Sequence, residues 1–297
     1  MHSDLGSLDS PENKRGLMFE ETIPELKQKA NWVRKQVLEM CVGAGCGHIV
    51  SSFSATDILV ALYYGGFLRF NPDDPNWDER DRFIMSKGHG AIALYPILAD
   101  LGFFSKDEFS GFCQGNGMLG THPDNNVPGI EVISGSLGHG LGIATGLALR
   151  AKMDGIGYST VALLGDGECY EGAVWEAAMF AGHHQLNNLT GIIDRNRLSV
   201  TDFTENSLRL NPLANKWESF GWHTIAVDGH SFEQLLLAFN NLRYPVSTKP
   251  LMIIANTVKG QGVSFMQDKP IWHVTVPNGE QLEMARKELG SIENLTT

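Results

Sequence analysis

Two short apolar runs, 160–164 and 189–193, each end in an oxygen-bearing side chain, and this pair constrains the chain more than any other feature. The first run leads into Gly165-Asp166-Gly167. The second leads into Asp194-Arg195-Asn196, which places Asn196 thirty residues beyond Asp166. Short, continuously apolar runs of this kind read as strands of a parallel sheet, buried on both faces. The helix-length stretch between them supplies the crossover that parallel neighbours require, so the two strand ends emerge side by side. The glycines flanking Asp166 let a backbone or a bulky anion come close, because no Cβ stands in the way. One carboxylate and one amide oxygen are too few to hold Mg²⁺ alone, but they suit a site whose other ligands are phosphates and water. Taken singly, the Gly-Asp-Gly is a turn and the asparagine a cap. With strand, helix and strand in place between them, the pair predicts a metal–diphosphate site.

The rest of the chain alternates in the same way. Residues 25–41 carry Leu26, Ala30, Val33, Val37 and Met40 on one helical face. Ser54-Ala55-Thr56-Asp57 reads as a capping box that opens an apolar helix over 58–64. Strands are expected at 82–86, 131–134, 222–227 and 251–257, beside the two already named. Helices are expected at 91–101, 141–153, 173–186 and 232–242, with a last one opened by Asn278 and closed at Leu289-Gly290. Strands alternating with helices predict an α/β fold, a doubly wound parallel sheet with helices on both faces. No internal repeat, low-complexity run or linker interrupts 21–297, which reads as one domain, and the polar residues 1–20 read as a flexible tail.

Composition narrows the function. A 42% hydrophobic content with 19% charged residues is enough for a substantial core. A net charge of −11 argues against nucleic-acid binding, which wants basic surface, so an anionic diphosphate must be neutralised locally. No apolar stretch approaches a membrane span, and the N-terminus lacks the apolar region of a signal peptide. Cys41, Cys46, Cys113 and Cys169 have no paired metal spacing and are few for a disulfide scaffold, which points to a reducing cytoplasm. The segment 115–120 matches GxGxxG literally. No apolar strand precedes it and Thr121-His122-Pro123 prevents a helix from starting, so a loop is expected there.

Gly-Asp-Gly followed thirty residues later by Asn resembles the thiamin diphosphate signature. Gly47-His48, Ser86-Lys87-Gly88-His89, Gly120-Thr121-His122-Pro123, Gly135-Ser136-Leu137-Gly138 and Trp272-His273 stand in the order found in transketolases. The stretch 165–184 is also similar to that family, residue type by residue type. The resemblance runs from about Ala30 to about Pro277 and covers only the first, diphosphate-binding domain of the family. It implies the thiamin-diphosphate-binding fold, thiamin diphosphate as cofactor with Mg²⁺ (or Ca²⁺ or Mn²⁺ in its place), and transfer of a two-carbon ketol unit between sugar phosphates. It also implies a separate C-terminal subunit carrying the missing pyrimidine-binding domain, an α₂β₂ assembly, and a chain that is inactive alone.

Carried over by position, the resemblance implies Asp166, Asn196 and the backbone carbonyl of Leu198 as metal ligands. Gly167, His89 and His273 would contact the diphosphate, while Gly135 and Leu137 would line the cofactor. Asn196 belongs to the cofactor set as well, as does Glu171, which matches a glutamate at the subunit boundary that couples paired active sites. His48, His122 and His273 are the implied catalytic residues, because imidazoles titrating near neutrality donate or accept protons at hydroxyl and carbonyl oxygens. His2, His183, His184, His223 and His230 read as ordinary capping or core residues, and Tyr170, Trp175 and Phe180 as packing. Glu168 reads as a solvated turn carboxylate, and His139 stands where the family commonly has glutamine. Two positions depart from the family pattern. Ile49 replaces a proline, which predicts a differently shaped loop, and Val274 replaces a glycine, which predicts a narrower substrate channel. Three other readings share the metal–diphosphate pattern: the α subunit of a 2-oxo-acid dehydrogenase, a deoxyxylulose-phosphate-synthase-like protein, and a non-catalytic cofactor-binding scaffold. The histidine set favours ketol transfer, and retention of Asp166 and Asn196 speaks against lost catalysis.

Overall fold

Five strands pair into one sheet, all parallel, in the order β1-β2-β3-β5-β4. They are β1 (Arg82–Met85), β2 (Thr160–Gly165), β3 (Leu189–Arg195), β4 (His223–Asp228) and β5 (Leu251–Asn256). The computed structural model describes residues 11–200 and 202–291, with side chains over 23–200 and 202–290. Helices in chain order are α1 (Pro11–Ala44), α2 (Ile49–Tyr64), α3 (Leu94–Asp100), α4 (His139–Asp154) and α5 (Gly172–His183). They continue as α6 (Thr204–Ser207), α7 (Leu213–Ser219), α8 (Phe232–Arg243) and α9 (Gly279–Ser291).

β1, β2, β3 and β5 are buried along their length because both sheet faces are covered there, whereas the edge strand β4 is largely half-exposed, and alternate side chains serve different cores. Phe83, Val161, Leu163, Ile192 and Ile253 pack with α1, α2 and α8 on one face. Ile84, Ala162, Leu164, Ile193 and Met252 pack with α4, α5 and α7 on the other. Each fully buried Leu, Ile or Val contributes about 1.5–3 kcal/mol relative to exposure, so the two rows together fix the register. That register sets Gly165 opposite Asp194, and Asp166 and Asn196 therefore leave the sheet close together, as the spacing predicts.

Four expectations need correction. Ser54–Asp57 opens no helix. It lies inside α2, where every residue from Ile49 to Tyr63 is buried. Its polar side chains find tertiary partners instead: Ser54 Oγ donates to Asp194 Oδ2 at 2.6 Å, and Asp57 Oδ2 meets Arg34 Nη2 at 2.6 Å. Residues 131–134 form no strand. Glu131 pairs with Arg80 at 2.9 Å and the Ser134 hydroxyl donates to the Met85 carbonyl, so side chains rather than a ladder hold this segment. Residues 11–20, expected within a tail, are helical as part of α1, while residues 1–10 and His2 lie outside the described residues. Phe180, expected in packing, is 43% exposed and touches only the His184 ring among its aromatic neighbours, at 4.2 Å. Segment 115–120 is a loop, as its context requires.

Candidate active site

The C-terminal ends of β1, β2, β3 and β5 open onto a cleft of about 310 Å³. This is where ligands of open parallel sheets sit, because the strand-to-helix loops converge there. His48, His89, His122, Gly135, Leu137, Asp166, Gly167, Asn196, Leu198 and His273 all line it. Ten residues scattered over 48–273 in sequence are thus brought to one wall system. Glu171 is the exception. It is exposed and stands outside the cleft, its Cβ occupying the place a side chain on Gly138 would need.

The histidines form a cluster on one side. The His48 ring lies 5.5 Å from His89, 5.7 Å from His122 and 5.4 Å from His273, edge to face. Burial lowers the His48 pKa to about 4, with help from His122, Lys259 and Lys87. Burial and Lys259 lower His273 likewise to about 4, and burial also lowers His122 and His89. All four rings are therefore neutral at pH 7, each with one N–H donor and one acceptor nitrogen. Nδ1 of His48 and Nδ1 of His273 are buried without a hydrogen-bond partner among the described residues. Gly135 shows why the turn beside them is glycine. At φ +150° a Cβ there would stand 3.1 Å from His122 Cδ2.

The opposite side is polar and charged. Asp166 is 2% exposed and accepts from the N–H of Gly167 at 2.7 Å and of Arg197 at 2.5 Å, and from Arg195 Nη1 at 3.1 Å. Burial raises its carboxyl pKa despite Arg195. Asn196 Oδ1 accepts from Leu198 N–H at 3.1 Å. Among the described residues no three His, Cys, Asp or Glu side chains converge as a metal cage. One carboxylate, one amide oxygen and one carbonyl are hard oxygen donors that need anionic ligands to complete a shell, which fits Mg²⁺ held jointly with a diphosphate.

Two lysines escaped the sequence reading. Lys87 is fully buried and is neutralised by a short ion pair with Asp194, which also accepts from Ser54 and Thr257. Lys259, just past β5, has no carboxylate partner among the described ion pairs; its ammonium reaches only the carbonyls of Leu198 and Ser199, at 3.4 and 3.3 Å. Burial, with Lys87 nearby, lowers its pKa to about 8. A buried ammonium with no carboxylate at ion-pair distance, although Asp166 and Asp194 act on it from farther off, suits a phosphate oxygen. The Lys259 loop is held by His230, whose Nε2 accepts from Val258 N–H at 2.8 Å while Nδ1 meets Asp57 at 2.6 Å. Glu168 corrects another expectation: it is 1% exposed, not solvated, and it lines the cleft. Tyr170 also borders the cleft, whereas Trp175 packs against Trp217 at 5.1 Å. Ile49 is the buried first residue of α2, and Val274 is exposed.

Comparison with known proteins agrees with this geometry. Residues 26–294 match the family described as "Transketolase, thiamine diphosphate binding domain". The chain is 41% identical over 272 residues to one of the subunits of the apulose-4-phosphate transketolase of Phocaeicola vulgatus, covering 91% of this chain and 95% of that protein. It is 38% identical over 273 residues to the 6-deoxy-6-sulfo-D-fructose transketolase subunit SqwG of a Clostridium species, covering 92% and 98%. The crystal structure of Campylobacter jejuni transketolase superposes with a TM-score of 0.84 at 30% identity, covering 89% of this chain but 42% of that one. The chain thus spans less than half the length of that transketolase and nearly the whole length of the two subunits. It belongs to the transketolase family, within the thiamine diphosphate binding domain of that family.

Proposed function

We propose that this chain is the thiamin-diphosphate-binding subunit of a two-subunit transketolase, moving a two-carbon ketol unit from a ketose phosphate to an aldose or aldose phosphate. The observation that carries this reading is the meeting of four neutral histidines with a set of oxygen donors and a buried lysine outside any described ion pair in one cleft. Bound thiamin diphosphate supplies the nucleophilic carbon and the electron sink for the transfer. Asp166, Asn196 and the Leu198 carbonyl would hold Mg²⁺, and Lys259, His89, His273 and the Gly167 N–H would take the diphosphate oxygens. His48 and His122 belong to the same histidine cluster, where a neutral imidazole can donate its N–H to a developing oxyanion or accept a hydroxyl proton at its free nitrogen, becoming imidazolium.

The partner is a C-terminal subunit with the pyrimidine-binding domain, in an α₂β₂ arrangement with two active sites. Ile143 on α4 and Met179 and Phe180 on α5 are large apolar side chains left exposed on two packed helices, which suits such a contact. The four cysteines are free, which fits a reducing cytoplasm. No described helix is long and apolar enough to cross a membrane. The test is a donor comparison in the assembled enzyme: xylulose 5-phosphate should be turned over and pyruvate should not. Turnover of pyruvate with an inert ketose phosphate would move the chain to the oxo-acid or deoxyxylulose-phosphate chemistries.

A further inference from the structure

One buried carboxylate in the cleft has no place in this chemistry. Glu168 sits in a short 3₁₀ turn directly after Asp166-Gly167 and makes no ion pair among the described residues. Its partners are neutral donors from three different segments. The Ser86 hydroxyl and the Gly138 N–H, the latter at 2.9 Å, donate to Oε1, and the Gly165 N–H donates to Oε2 at 3.0 Å. Ser86 follows β1 and leads to Lys87 and His89. Gly165 ends β2 and leads to Asp166. Gly138 closes the turn that carries Gly135 and Leu137 and starts α4.

Three donors converging on two oxygens call for a group that only accepts. An ionised carboxylate meets that need, whereas an amide must turn its NH₂ toward one of the N–H or O–H groups. The contact is also sterically tight. A Cβ on Gly140 would stand 2.3 Å from Ser86 Oγ, so the first turn of α4 rests directly on the serine that Glu168 holds.

We propose that Glu168 is a positioning residue that clamps the cofactor turn 135–138 to the ends of β1 and β2, giving the cleft its binding-competent shape. The proposal rests on the thiamin diphosphate reading of the cleft. The test uses Glu168→Gln, which keeps volume, and Ser86→Ala, which removes one donor, each as the full chain assembled with its partner subunit. Two readouts are taken: calorimetric affinity for thiamin diphosphate with Mg²⁺, and hydrogen exchange at residues 135–138 and 165–167 without cofactor. Glu168→Gln should raise the cofactor Kd by about 10–100-fold, the usual effect of losing an outer-shell partner, and speed exchange at Gly138 and Gly165. Ser86→Ala should act in the same direction and less strongly. Wild-type affinity and exchange in both variants would overturn the clamp, as would a lowered melting temperature with unchanged Kd. Should the unmodified protein fail to bind thiamin diphosphate, the cofactor reading falls, and the exchange readout alone still decides whether the clamp exists.

Discussion

Replacing Asp166 separates its two roles, ligand and architectural acceptor. In Asp166→Ala the Gly167 and Arg197 amides lose their acceptor in a part-buried setting, while Arg195 keeps Thr204 Oγ1 at 2.7 Å and Glu205 at 2.8 Å. An orphaned buried amide costs about 1–3 kcal/mol, and these part-buried ones fall toward the lower end. Removing a carboxylate that burial already penalises offsets part of this, so the net loss should be about 1–3 kcal/mol. Asp166→Asn keeps one acceptor oxygen and should lose about 1–2 kcal/mol. Its effect on the cofactor should be larger than its effect on folding. Asp166 is the one charged ligand in the proposed metal set, so Mg²⁺–thiamin diphosphate affinity should fall by at least about 100-fold, beyond the range for outer-shell losses. Urea unfolding gives the first quantity and calorimetry on the assembled enzyme the second. Wild-type cofactor affinity in Asp166→Asn would refute the ligand assignment, and a wild-type urea midpoint in Asp166→Ala would refute the hydrogen-bond reasoning.

Three further outcomes are expected. His122→Ala should lower kcat by about 10²–10⁴-fold with little change in cofactor affinity, whereas His273→Ala should mainly raise the apparent cofactor Kd; equal effects of both on both quantities would contradict the roles. Stability should decline as pH falls from about 6.5 toward 4, because His48 and His273 stay neutral in the folded state down to about 4 while the unfolded chain takes up protons below 6.5. The unfolding free energy is then complete above pH 6.5, and a urea midpoint that is flat between pH 7 and 5, or a fall undiminished in His48→Gln/His273→Gln, would contradict it. Asp194→Ala should destabilise by about 3–5 kcal/mol by leaving the Lys87 ammonium buried and unpaired, and a thermal melt within about 2 °C of wild type would exclude this.

Some of this was readable from residue order and some was not. The strands were legible because both faces of the sheet are covered, which makes each of β2, β3 and β5 a continuous apolar run with a polar residue where it leaves the core. Asp166 and Asn196 followed from that, and the histidines followed from the family resemblance. Side chains whose partners are distant in sequence stayed hidden. Ser54 and Asp57 mimic a capping box locally, but Asp194, Arg34 and His230 claim them from elsewhere in the fold. Glu168 looks like a turn residue until the glycine turn before α4 and the end of β1 close over it. Lys259 carries no local pattern at all, and only burial beside Lys87 marks it. Glu171 is the reverse case, since its motif match placed it with the cofactor while the fold turns it outward.

Partner dependence is the property of this chain most open to direct measurement. Ketol transfer from xylulose 5-phosphate should be measured with the purified chain, with the purified partner, and with the two mixed, all with saturating Mg²⁺ and thiamin diphosphate. Activity should be absent from each polypeptide on its own and restored by the mixture, saturating as the partner approaches one equivalent. Full transfer by this chain alone, with no second polypeptide present, would contradict it.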